Sequence, residues 1–210
     1  MPVMNDREYR RIDISNIECR DDDNGKVVEG YATVFDQEYQ LYNFGDYEVR
    51  ESFDSASFND ADVSDTIMQY DHEGRVFARV SNGTLELHPD EHGLHIRANL
   101  GGTDIGNQLY QEIKGGYTTK MSIGFTVSKE ERTEERVDEK TIIHRKITGV
   151  KKLYDVSAVS LPANDATEIS ARSLGEGVIA EAEKERLAEM ERQRKIQKIK
   201  ILLEVQNHDD

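Results

Sequence analysis

The sequence predicts a mainly β (α+β) fold: a closed or curled β-barrel with short flanking helices, followed by a long C-terminal helix. Three observations carry this. Before residue 174, short apolar or alternating segments are separated by clusters of Gly, Asp, Asn and Ser, the pattern of strands and turns. Only two short stretches there read as helix, and they do not alternate with strands as a βαβ array requires. From Gly175 to Asn207 the composition changes: no Pro, no aromatic residue, no Gly after Gly177, and a dominance of good helix formers. The expected division is a barrel domain over 1–174 and a helical tail over 175–210.

The elements follow in order. Residues 27–35, VVEGYATVF, are β-branched and aromatic and follow the turn Asp21-Asp22-Asp23-Asn24-Gly25, so they predict a strand. Residues 52–59 predict a short helix, capped by Ser52 or Asp54, with Phe53 and Phe58 facing one way. Residues 66–70 predict a strand. Residues 84–88 and 93–100 alternate on either side of Pro89-Asp90-Glu91-His92-Gly93 and predict a hairpin. Thr103 or Asp104 caps a helix carrying Ile105, Leu109 and Ile113, and Gly115-Gly116 ends it. Residues 121–127 predict a strand, 130–140 a charged excursion, and 141–147 and 153–161 two further strands.

In the tail, Ile179, Ala182, Leu187, Met190, Ile196, Ile199, Leu202 and Leu203 form an imperfect helical stripe. Acidic residues crowd its first half and basic ones its second, the order that suits the helix dipole. Residues 175–207 hold 7 basic and 7 acidic side chains, so the tail is neutral. The whole chain of 210 residues has 27 Lys+Arg and 42 Asp+Glu, 27 − 42 = −15, and this excess belongs to the body.

That charge argues against nucleic-acid binding through general positive charge. Cys19 is the sole cysteine, which excludes an intrachain disulfide and a Cys-rich zinc site. No apolar run approaches the ~20 residues of a membrane span. The N-terminal residues lack the apolar stretch of a signal peptide. The class expected is a soluble, acidic, intracellular protein without membrane contact, metal or cofactor.

Several residues invite a chemical reading. His88, Glu91, His92 and His95 form the densest ligand-like cluster, but Pro89 and Gly93 break the helix that an H-x3-H metal pair needs. A polar hairpin tip accounts for them better. Cys19 lies beside a run of acid, which works against a thiolate. Gly101-Gly102 and Gly115-Gly116 fit no phosphate-cradling pattern. His72 stands in the polar loop QYDHEG, and Ser122 opens the strand KMSIGF without a GxSxG elbow. Asp155 interrupts an otherwise apolar strand, where a bare carboxylate is costly. It shares the parity of Leu153, so it points to the face Leu153 buries or to the adjoining rim.

These three residues are joined by a resemblance. The segments GYATVFD (30–36), SFDSASF (52–58), QYDHEGRVFARV (69–80), GLHIRANL (93–100), the Ile105–Gly116 helix, KMSIGF (120–125) and LYDVSAVSLPANDATEIS (153–170) occur in order. Together they resemble the capsid-maturation (prohead) serine proteases of tailed bacteriophages, a family related in fold to the herpesvirus assemblins. The resemblance covers about residues 27–170.

It implies Ser122 as nucleophile, His72 as base and Asp155 as third member, a position often Glu in the phage proteins. It also implies an oxyanion loop after Asp155. The assemblin arginine is missing there, and Asn164 or a backbone N–H is the expected donor. The implied activity is endoproteolysis of the scaffolding part of the major capsid protein, and of the protease itself, inside the procapsid in the host bacterial cytoplasm. Self-association through the barrel or the C-terminal helix is a further expectation. The alternatives are a catalytically inactive scaffold or assembly protein on the same barrel, and a β-barrel binding module whose three residues lie far apart.

Overall fold

A computed structural model describes residues 7–12, 17–22, 25–159 and 165–206. It contains eleven strands: β1 (Glu8–Ile12), β2 (Glu18–Asp22), β3 (Gly25–Val34), β4 (Tyr39–Phe44), β5 (Tyr47–Phe53), β6 (Ile67–Tyr70), β7 (Glu73–Arg79), β8 (Leu85–Pro89), β9 (Gly93–Asn99), β10 (Lys120–Val137) and β11 (Lys140–Val159). Helix α1 (Asp104–Lys114) connects β9 to β10, and α2 (Asp165–Gln206) follows β11. Among the described residues no helix is long and apolar enough to cross a membrane.

The fold is mainly β with two helices, but the expected closed or curled barrel does not form. The strands make two open sheets. The larger runs β1-β10-β11-β5-β4, with β6 added to β11 and β7 to β6; the smaller runs β2-β3-β9-β8. The reason lies in β10 and β11. The charged stretch after 130 is no excursion. It continues β10 to 18 residues and pairs antiparallel with the 20 residues of β11, which absorbs both strands expected at 141–147 and 153–161. The two-residue turn sits at Asp138-Glu139, with Asp138 at φ 56°. The edge of β11 away from β10 holds β5 and then β6, both parallel to it.

The two sheets enclose one core. Met121, Ile123, Phe125, Val156 and Ala158 meet Val28, Ala32, Leu85, Ile96 and Ala98, and α1 adds Leu109, Tyr110 and Ile113. Helix α1 forms as its caps dictate: Thr103 Oγ1 accepts the Gly106 N–H at 3.0 Å, and Gly116 takes the left-handed φ of 74° just past its end. The β8–β9 hairpin forms with Leu85 opposite Ala98 and Pro89 opposite Leu94.

The expected helix at 52–59 is absent. Phe53 ends β5, paired with Ile147 in the parallel ladder, and turns follow through Asp60. Asp54 still caps, accepting the Ala56 N–H at 2.9 Å, but the buried Phe53 is held by strand pairing. The C-terminal helix begins at Asp165, well before Gly175. Val178 and Ala182 of α2 pack on Val49 and Ile143 in a second, smaller core. Further along, Leu187, Met190, Ile196, Ile199 and Ile201 are exposed.

Candidate active site

Strand parity builds the site. In β10, Met121, Ile123 and Phe125 face the core, leaving Ser122 and Gly124 on the opposite face. Across the ladder, Ser122 pairs with Ser157 and Gly124 with Asp155. Asp155 does not share a face with Leu153, as an unbroken alternation would require. The register steps from Asp155 opposite Gly124 to Leu153 opposite Phe125, so Tyr154 is an extra residue in a bulge. Leu153, Val156 and Ala158 then all enter the core, and Asp155 and Ser157 turn to the other face.

His72 arrives from β6. That strand lies parallel to β11, with Ile67 opposite Asp155 and Tyr70 opposite Ala158. It turns into β7 through Asp71 and His72 alone, between the paired Tyr70 and Glu73. Both turn residues have positive φ, 48° and 61°, as the tight turn favoured in hairpins demands of its central pair. The Asp71 N–H donates to the Ala158 carbonyl at 3.0 Å, which ties the turn to the end of β11.

The three side chains meet. His72 Nε2 lies 2.6 Å from Ser122 Oγ, and His72 Nδ1 lies 2.5 Å from Asp155 Oδ1. Ser122 and Asp155 are buried, and His72 is 13% exposed. Ser157 Oγ donates to Asp155 Oδ1 at 2.8 Å. Asp155 Oδ2 accepts no hydrogen bond; the Arg7 guanidinium stands 3.8 Å from it and stacks on the Tyr154 ring at 3.9 Å. The Tyr9 ring leans on the imidazole with centroids 4.5 Å apart. Ser122 Oγ also lies 2.9 Å from the Arg10 carbonyl oxygen, to which it can donate in place of His72.

Beside this cluster lies a buried charge network. Glu51 is fully enclosed between the guanidinium groups of Arg10 and Arg145 and the Tyr39 hydroxyl. Burial works to raise the Glu51 carboxyl, but the two arginines outweigh it and hold it at about 2. Arg145 also reaches Glu8 and Glu130.

Sequence reasoning missed Ser157, Gly124, Tyr9, Arg10 and Glu51 as parts of this region. Ser157 stands inside the motif that carried Asp155, and shared strand parity was the available signal. The others depend on non-local pairing. Asn164 lies outside the described residues. His88 pairs with Glu86, and His92 and His95 flank the Tyr31 ring; among the described residues no group is arranged to hold a metal ion. Cys19 is half-buried in β2, and burial raises its thiol.

A hydroxyl, an imidazole and a carboxylate in one hydrogen-bonded row form the constellation of serine hydrolases. The chain belongs to the caudovirus prohead serine protease family, whose model matches residues 13–180. No curated protein matches its sequence. Among solved structures it is similar to the capsid assembly protease gp21 of bacteriophage T4, at 14% identity and a TM-score of 0.44, covering 74% of this chain and 99% of that one.

Proposed function

We propose that this chain is a serine endopeptidase that cleaves the scaffolding part of a phage major capsid protein, and itself, within the procapsid in the host cytoplasm. The observation that carries the reading is the row Ser122–His72–Asp155, with contacts of 2.6 and 2.5 Å, in a chain of the prohead protease family.

Neutral His72 accepts the Ser122 proton at Nε2 as Oγ attacks the scissile carbonyl carbon, then returns it to the leaving amine. Asp155 accepts the Nδ1–H, which fixes the tautomer that leaves Nε2 free, and it stabilises the imidazolium. Water, deprotonated by His72, then cleaves the acyl ester. Asn164 or a backbone N–H supplies the oxyanion donor in this scheme.

Ser122→Ala removes one oxygen and tests the reading. Processing of the capsid precursor should stop while the thermal midpoint stays put; unimpaired processing ends the assignment. The inactive-assembly reading draws on the exposed apolar residues of α2. It requires that the native chain cut nothing.

A further inference from the structure

Strand β1 lies on the free edge of β10, antiparallel, with Arg11 opposite Ser122 and Arg10 opposite Ile123. An extended peptide that adds to a sheet edge gains main-chain hydrogen bonds and sends side chains into flanking pockets. β1 does both. Its Arg10 carbonyl oxygen faces Ser122 Oγ at 2.9 Å, and its Arg10 side chain is 2% exposed. That guanidinium runs past the Phe125 ring and ends on Glu51, with Nη2 3.0 Å from Oε2.

We propose that β1 occupies the place of a peptide substrate, and that Glu51 selects an arginine or lysine at the residue whose carbonyl is attacked. This rests on the serine peptidase reading above. A buried carboxylate at the end of a side-chain pocket rejects neutral and acidic residues, because each would leave it short of a partner.

The charges agree. When β1 leaves, Glu8 and Arg10 go together. Glu51 and Glu130 remain around Arg145, two carboxylates against one guanidinium. The vacated pocket therefore favours a cation. A substrate that enters pairs with β10 as β1 does. Ser122 Oγ bonds to the carbonyl carbon of the basic residue, and the C–N bond to the next residue breaks. The Ser122 proton passes through His72 to the departing amine, and water then hydrolyses the ester. β1 itself, held with its carbonyl oxygen toward the hydroxyl, competes for the same edge.

The test uses the full chain and two fluorogenic peptides, Glu-Tyr-Arg-Arg-Ile-Asp and Glu-Tyr-Gln-Arg-Ile-Asp. Cleavage after the third residue should favour the arginine peptide by about 30-fold or more in kcat/KM, the scale of a lost buried charge pair. Glu51→Gln should collapse that ratio to within about three-fold, and the ratio does not depend on how much of the variant is folded. Arg10→Glu places a carboxylate against Glu51 and expels β1, so turnover of the arginine peptide should rise. Equal cleavage of both peptides, abolished by Ser122→Ala, overturns the role of Glu51 and leaves the peptidase standing. Unchanged turnover in Arg10→Glu overturns the occupancy by β1. Failure of both the native and Arg10→Glu chains to cut either peptide or unfolded casein overturns the peptidase reading itself.

Discussion

Gly124 lies directly across the β10–β11 ladder from Asp155, and a Cβ at 124 would stand 2.3 Å from Asp155 Oδ2 and 2.9 Å from the Tyr9 ring. The contact is with a buried carboxylate and a packed ring, so neither yields cheaply. Gly124→Ala should displace the carboxylate from His72. The expected cost is about 10² in turnover from misplacement and about 1–3 kcal/mol in stability from overpacking. Kinetics and calorimetry on one preparation check both.

Asp155→Asn should keep the shape and lose the tautomer lock, at a cost of ~10⁴ in rate. The resemblance to a family that often carries Glu here suggests that Asp155→Glu is mild. The packing argues the reverse for this chain. Asp155 is 1% exposed, already 2.5 Å from His72, and pressed against Gly124. An added methylene has no room, so the Glu variant should also lose most of its turnover. Rates for the two variants, side by side, decide the point.

Ser157→Ala removes the hydroxyl that donates to Asp155 Oδ1 at 2.8 Å. The carboxylate keeps its bond to His72, so the loss should be modest. Turnover should fall by up to about ten-fold, the equivalent of about 1.4 kcal/mol. A full loss of activity would mean that Ser157 does more than orient Asp155.

Glu51 predicts a pH dependence of stability. Its carboxyl sits at about 2 in the fold against an ordinary value of 4.5. Between those values the unfolded chain binds more protons, so stability rises with pH across the window. The contribution is complete above about 4.5 and is lost as pH falls toward about 2, on the order of 3 kcal/mol in all. Thermal midpoints measured from pH 5 to 2 should fall more steeply for the native chain than for Glu51→Gln. Parallel slopes would contradict this.

The end of α2 separates two domain boundaries. Truncation after Arg186 removes only exposed residues and should leave stability within about 0.5 kcal/mol. Truncation after Leu174 removes Val178 and Ala182 from their core with Val49 and Ile143 and should cost about 2–4 kcal/mol. Denaturant midpoints of both truncated chains check this. A boundary at 174 predicts that neither cut matters to the remaining domain.

Elements whose instructions are local were legible. The Thr103 cap and the Gly115-Gly116 stop mark α1, and alternation around Pro89–Gly93 marks the β8–β9 hairpin. His72, Ser122 and Asp155 could be named only through the ordered motifs, since nothing local sets them apart from solvated or structural residues. The outer half of β10 was illegible because Glu131–Val137 is exposed and lacks the apolar alternation that marks a strand. The parity of Asp155 failed for a similar reason: a bulge at Tyr154 leaves no trace in residue type. β1 pairs with a strand more than half the chain away, and its arginines read as ordinary surface charge.

The parallel docking of β6 on β11 sets a clock on synthesis. His72 emerges from the ribosome long before Ser122 and Asp155, yet β6 has no partner in the larger sheet except β7 until residues 155–158 exist. Pairings of such long sequence separation form late, because loop closure must be met before they reward the chain. A nascent chain that ends before β11 therefore holds an imidazole with no carboxylate to orient it. The cell meets no competent hydrolase until translation has passed this last strand.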